Sequence, residues 1–133
     1  MALVDHEKGE VRFKIVYCGP ALSGKTTSLQ FIHSRIEEDR RGDLLSMATP
    51  TDRTVFFDYL PIDAVMIRGY LTKFQLYSVP GQTAYHSTRE LVLRGADGVV
   101  FVADSSPWQA EHNAVAMELT EDNLRANGLS MER

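Results

Sequence analysis

Along the 133-residue chain the hydrophobic pattern switches between a period of two and one near 3.6, and each switch marks the edge of an element. Val11 to Cys18 mixes alternation with β-branched and aromatic residues, which predicts a strand ending at Gly19. From Lys25 onward Leu29, Ile32 and Ile36 recur at helical spacing. Arg40-Arg41-Gly42-Asp43 breaks that pattern, and the stretch from Ser46 to Thr54, rich in Ser, Thr, Pro and Asp, predicts a loop. Val55 to Leu60 and Tyr70 to Tyr77 predict two strands able to pair antiparallel, joined by a turn around Asp63 to Gly69. Val79-Pro80-Gly81-Gln82 stops the second of these, and Ser87 to Arg94, with Leu91 and Leu93, predicts a short helix. Gly98 to Ala103 is apolar without alternation, as expected of a strand buried on both faces of a parallel sheet. Trp108 to Ala126 carries Val115, Leu119 and Leu124 at the spacing of an amphipathic helix, with Trp108 expected to pack near its start.

This order, β-loop-α-β-β-α-β-α, predicts an α/β, doubly wound and mostly parallel sheet whose ligand crevice lies beyond the carboxyl ends of the strands. Three loops fall at such places: the one after Cys18, the one that ends at Thr54, and the one after Tyr77. They are expected to converge on a single ligand.

The first of them names the chemistry. Gly19-Pro20-Ala21-Leu22-Ser23-Gly24-Lys25-Thr26 fits the phosphate-loop pattern G-x-x-x-x-G-K-[ST] at every fixed position, between a predicted strand and a predicted helix. Glycines let such a backbone wind into a nest of inward-pointing N–H groups, and the helix beneath adds the positive end of its dipole. Lys25 supplies a point charge to phosphate oxygens and the Thr26 hydroxyl a ligand for magnesium. The candidate phosphate-binding residues are Gly19, Ala21, Leu22, Ser23, Gly24, Lys25, Thr26 and Thr27, with Gly81 joining from the Pro-Gly-Gln turn.

Composition narrows the alternatives. A chain of this length, 44% hydrophobic, has material for one domain with a real core. Its formal net charge of −4 and lack of any Lys/Arg run argue against nucleic acid or an anionic membrane as partner. Cys18 is the single cysteine, residues 1–10 hold no apolar stretch of signal-peptide length, and nothing approaches a transmembrane run, so a reducing, cytoplasmic setting is expected. His6, His33, His86 and His112 have no metal-ligand spacing.

Beyond the phosphate loop the chain resembles the small Ras-like GTPases, most closely the bacterial MglA branch that controls polarity and gliding motility. The resemblance is carried by Lys14-Ile15-Val16-Tyr17, Thr51-Asp52-Arg53-Thr54-Val55-Phe56-Phe57-Asp58, Val79-Pro80-Gly81-Gln82 and the run from Asp97 to Ser105. It implies a P-loop NTPase of the Ras-like G-domain type, with phosphate loop 19–26, switch I at about 46–55 and switch II at about 78–94. GTP/GDP as ligand and Mg²⁺ as cofactor follow from the same resemblance. By it, Thr54 closes onto the metal and senses the γ-phosphate, Arg53 is an arginine supplied in cis, and Gln82 orients the attacking water. It also implies a Roadblock/LC7-domain activating partner like MglB.

Three departures from the family pattern qualify these expectations. Ser78 stands where most GTPases carry the aspartate of D-x-x-G, a position where the MglA branch tends to have a neutral hydroxyl residue; another carboxylate, such as Asp58, would have to add the charge. On general grounds, however, Asp52, Asp58 and Glu90 are expected to be surface carboxylates. Ala21 replaces a customary glycine, and its Cβ is expected to crowd the γ-phosphate and slow hydrolysis. No N-K-x-D occurs, so guanine specificity is not encoded in these residues, and the resemblance implies a C-terminally truncated piece of a longer GTPase. The competing readings are a non-hydrolysing pseudo-GTPase or interaction module and, more weakly, a P-loop ATPase or small kinase.

Overall fold

The computed structural model describes residues 2–48, 56–79 and 86–130. Among them run β1 (Leu3–Asp5), β2 (Glu10–Cys18), α1 (Lys25–Arg35), β3 (Leu45–Ala48), β4 (Phe56–Ile67), β5 (Tyr70–Ser78), α2 (His86–Leu93), β6 (Gly98–Phe101) and α3 (Ala110–Ala126). Short 3₁₀ turns at Glu38–Arg40 and Pro107–Gln109 follow α1 and precede α3.

β2 is the central strand. One of its edges pairs parallel with β5 along almost its whole length; the other pairs antiparallel with β1 near its start and parallel with β6 near its end. Beyond β5 the sheet turns antiparallel, through β4 to β3. Helices on both faces give the expected α/β arrangement, but the sheet is mixed rather than mostly parallel: β5-β2-β6 pair parallel, and β1-β2, β5-β4 and β4-β3 antiparallel. α1 lays Leu29 on one face, against Leu60, Ile62 and Leu76, while Val92, Leu93 and Ala96 from the α2 region and Leu124 of α3 cover Val16, Cys18 and Val79 on the other. Burial of two apolar faces by helices supplies most of the driving force for such a sheet.

Several expectations change in detail. Leu45–Ala48 is a strand, so residues 46–48 leave the expected loop and pair with Phe56 to Asp58. β4 continues to Ile67; the turn shrinks to Arg68-Gly69, both at positive φ (52° and 83°), and a register shift between Asp63 and Met66 absorbs the extra residues. Two consecutive left-handed residues match the twist of a tight hairpin, which is why the strands can run on so far.

β6 is not buried on both faces. Val99 packs into the core beneath α2 and α3, but Val100 is 38% exposed, because the described helix on its side, α1, packs over β4 and β5 instead. Trp108 is 76% exposed in the 3₁₀ turn, off the packed stripe of α3. That stripe is Ala116, Thr120, Asn123 and Leu124, while Val115 faces outward.

Among the described residues β6 pairs with β2 alone, and its sequence Gly98-Val99-Val100-Phe101 carries neither charge nor proline to blunt an edge. The purified 133-residue polypeptide is therefore expected to self-associate at micromolar concentration. Val100→Lys should shift it toward monomer in sedimentation velocity. A monodisperse monomer without the substitution contradicts this account of the edge.

Candidate phosphate and magnesium site

The end of β2 delivers the chain into the phosphate loop at a point with no room for a side chain. Gly19 has φ +144°, and a Cβ built there would lie 2.1 Å from the carbonyl oxygen of Val102, just past β6. The same strands are tied by Val102 N–H donating to the Cys18 carbonyl at 2.7 Å. Gly24, at φ +105°, then caps α1 in the left-handed region and offers no side-chain hydrogen bond to the helix. The first-turn amides of Lys25, Thr26 and Thr27 accordingly have no cap side chain competing for them, the condition under which a helix start takes an anion. Between the two glycines Leu22 also adopts positive φ (61°) and is 97% exposed, while Ala21 and Ser23 are half-buried. A left-handed leucine costs on the order of 1 kcal/mol, so the loop's winding is imposed by its two ends.

Lys25 is buried, 7% exposed, with its ammonium donating to the carbonyls of Gly19 (3.0 Å) and Pro20 (2.6 Å). Ser23 Oγ lies at 3.5 Å. Burial pushes this ammonium below its ordinary range, and the nearby Arg89 guanidinium, itself buried on α2, lowers it further. A desolvated cation facing backbone carbonyls gains strongly from an incoming anion.

In the first turn of α1, directly after Lys25, Thr26 Oγ1 donates to Asp58 Oδ2 at 2.5 Å, and Ser78 Oγ donates to the same oxygen at 2.8 Å. Asp58 and Ser78 are direct partners across β4 and β5. Asp58 is only 6% exposed, which overturns the expectation of a surface carboxylate. Its phase along β4, shared with buried Leu60 and Ile62, was the sequence signal for that placement. The carboxylate that Ser78 does not provide is thus set beside the Thr26 hydroxyl by the neighbouring strand. Hydroxyl and carboxylate oxygens are the hard donors that Mg²⁺ prefers, so these residues fit that metal. Glu90 is half-buried on α2, where its backbone carbonyl accepts from Asn127 Nδ2 at 2.9 Å.

Arg53, Thr54, Gly81 and Gln82 lie outside the described residues, as does Asp52. The described residues nearest them, Phe56 at the start of β4 and Val79 after β5, are at the same end of the sheet as Gly19. Val79 N–H donates to the Tyr17 carbonyl, and the Asp58–Ser78 register sets the start of β4 beside the end of β5.

No family model matches the chain. Over all 133 residues it is 45% identical to the mutual gliding-motility protein MglA of Myxococcus xanthus (strain DK1622), covering 68% of that protein. The chain belongs to the MglA-like small GTPases. A more distant match, 30% identical over 92 residues, links 69% of the chain to 8% of the Ras-related protein Rab-44 of Homo sapiens. The P-loop NTPase fold of the MglA-like GTPases accounts for the succession of β2, glycine loop and α1 and for the ends of β2 and β5 and the start of β4 gathered on one side. Among the described residues of this MglA-like chain, no helix is long and apolar enough to cross a membrane.

Cys18, the residue before the loop, is 1% exposed, and burial pushes its thiol up to about 12. At pH 8 the thiolate would be only about 10⁻⁴ of the total, so the folded protein is expected to resist aromatic disulfide reagents and to react once unfolded. Complete labelling of the native protein within minutes contradicts the burial of this strand end.

Proposed function

We propose that the chain acts as a GTP/GDP switch that binds nucleotide with Mg²⁺ in the loop from Gly19 to Thr27 and hydrolyses GTP. The observation that carries this reading is the pairing of a buried, carbonyl-held Lys25 with the Thr26–Asp58–Ser78 hydrogen-bonded group that begins at the next residue. The first asks for phosphate and the second for a hard cation, the two components of a magnesium nucleotide. Membership of the MglA-like small GTPases supports guanine as the base.

In this reading the loop amides and Lys25 orient the β- and γ-phosphates, and Ala21 lines the space beside the γ-phosphate. Thr26 and Thr54 would hold the metal, with Asp58 as the neighbouring carboxylate and Ser78 fixing its orientation. When bound, magnesium supplies charge neutralisation at the phosphate oxygens. Gly81 would contact the γ-phosphate, Gln82 would position the attacking water, and Arg53 would neutralise charge that develops in the transition state. Loss of the γ-phosphate would release the segments about 46–55 and 78–94, the usual route from hydrolysis to a change of partner. A Roadblock/LC7-domain activator like MglB, a cytoplasmic site of action, and an output in polarity or gliding motility complete the proposal; the printed name of the Myxococcus relative supports the last.

Titration with fluorescent GTP in Mg²⁺ tests the binding site. Lys25→Ala removes several charge-assisted contacts at once, about 3 kcal/mol, and should weaken binding by at least about a hundredfold. Asp58→Asn keeps the shape and removes the charge. It should raise the Mg²⁺ concentration needed for half-maximal binding by about 10- to 100-fold. Unchanged affinity in Lys25→Ala refutes the assignment of the loop.

The catalytic roles have a separate test in single-turnover hydrolysis. Arg53→Ala and Gln82→Leu should lower the rate by about 10²-fold or more while leaving nucleotide affinity within a few-fold of the parent. Rates equal to the parent's, with and without an activating partner, remove both residues from the mechanism.

A further inference from the structure

Past β6 the chain does not wander. Val102 N–H is bound to the Cys18 carbonyl, and the Val102 carbonyl stands against the bare Cα of Gly19. Two residues further on, the side-chain amide of Asn113, in the first turn of α3, grips the backbone of Asp104 from both sides. Asn113 Oδ1 accepts from Asp104 N–H at 2.9 Å, and Asn113 Nδ2 donates to the Asp104 carbonyl at 2.7 Å. The Asp104 carboxylate in turn accepts Ser106 N–H at 3.0 Å. Residues 102–106 therefore form a strap, tied at one end to the last residue of β2 and at the other to α3.

We infer that Asn113 is a positioning residue for nucleotide binding: by clamping Asp104 it fixes the strap whose Val102 carbonyl forms the wall on which the phosphate loop turns. The inference rests on the nucleotide-binding reading of that loop. Its logic is steric and directional. Gly19 has no slack on the side of Val102, so a strap free to shift by a few tenths of an ångström moves the first residue of the loop with it. A two-point amide clamp restrains both translation and rotation of the Asp104 peptide, which a single hydrogen bond does not. Asn113 cannot be replaced by a shorter polar side chain without losing at least one of the two bonds, whereas Asp104 takes part through its backbone alone.

The effect belongs to the lifetime of the complex. Once bound, nucleotide leaves when the loop opens, so weakening the wall should raise the dissociation rate. Measured by stopped-flow release of a fluorescent GDP from the full chain, Asn113→Ala is expected to lose nucleotide roughly tenfold faster than the parent. Asn113→Asp keeps the acceptor for Asp104 N–H but loses the donor to its carbonyl, and it too should release faster. That variant carries the test if the alanine form does not fold. Ile62→Val, a truncation in the core under α1 beside Phe74, serves as the stability control and should leave release unchanged even where its thermal midpoint falls as far. Parent-like release in both Asn113 variants overturns the inference while leaving nucleotide binding intact. Equal acceleration by Ile62→Val overturns it as well, by reducing the effect to general destabilisation. Failure of the unsubstituted chain to bind GDP overturns the functional reading and this inference together.

Discussion

A backbone carbonyl occupies the space where Gly19 has no side chain, and the phosphate-loop end of the sheet depends on that approach. Val102 can come so near only because position 19 is glycine at positive φ. The contact locks the turn out of β2 to the turn out of β6, and these are parallel neighbours whose carboxyl ends necessarily open on the same side. The loop then needs only a second left-handed glycine, Gly24, to re-enter regular structure as α1. Leu22 bears the strain between the two, with its side chain pushed into solvent.

On this scaffold charge is placed with little shielding. Lys25 lies beneath the loop among carbonyls, Arg89 comes toward it from α2, and Asp58 is enclosed between two hydroxyls on the far side of the α1 start. Two buried cations, Lys25 and Arg89, and the buried carboxylate that Thr26, the residue after Lys25, touches form a dipolar slot. A magnesium nucleotide, with anionic phosphates and a divalent cation, presents the complementary pattern. The hydroxyl at position 78 does not abolish the acidic side of that slot. It orients a carboxylate that the antiparallel neighbour strand contributes. A site can therefore keep its charge while the charged residue changes strand.

The phosphate loop, β2, α1 and the order of the longer elements after them were legible in the sequence, because glycine conformations and hydrophobic period are local properties, whereas the short strands β1 and β3 were not. Where the reading failed, tertiary context decided. Asp58 looks like a surface residue by type, and only its phase with Leu60 and Ile62, together with donors from α1 and β5, makes burial tolerable. The α3 stripe was only partly legible, with Leu124 read correctly and Val115 not, because two of its buried members are polar. Thr120 satisfies its hydroxyl on the Ala116 carbonyl, and Asn123 donates its side-chain amide to the Leu119 carbonyl, so a helix face can be packed without looking apolar. Trp108 and Val100 look like core by composition and are exposed because no described element reaches over them. The clamp from Asn113 to Asp104 has no sequence signature, since asparagine near a helix start is ordinary and its partner is set by the path of the preceding loop.

The central claim is that one magnesium nucleotide fills the slot between Lys25 and Asp58. The most direct measurement is a crystal structure of the chain with a non-hydrolysable GTP analogue and Mn²⁺ in place of Mg²⁺, using the anomalous signal of manganese to locate the metal. The account predicts a single strong peak bonded to Thr26 Oγ1 on the side facing Asp58, with the analogue's phosphates on the amides of the loop and on Lys25. A metal peak remote from Thr26 and Asp58, or phosphates bound away from the loop, would contradict it.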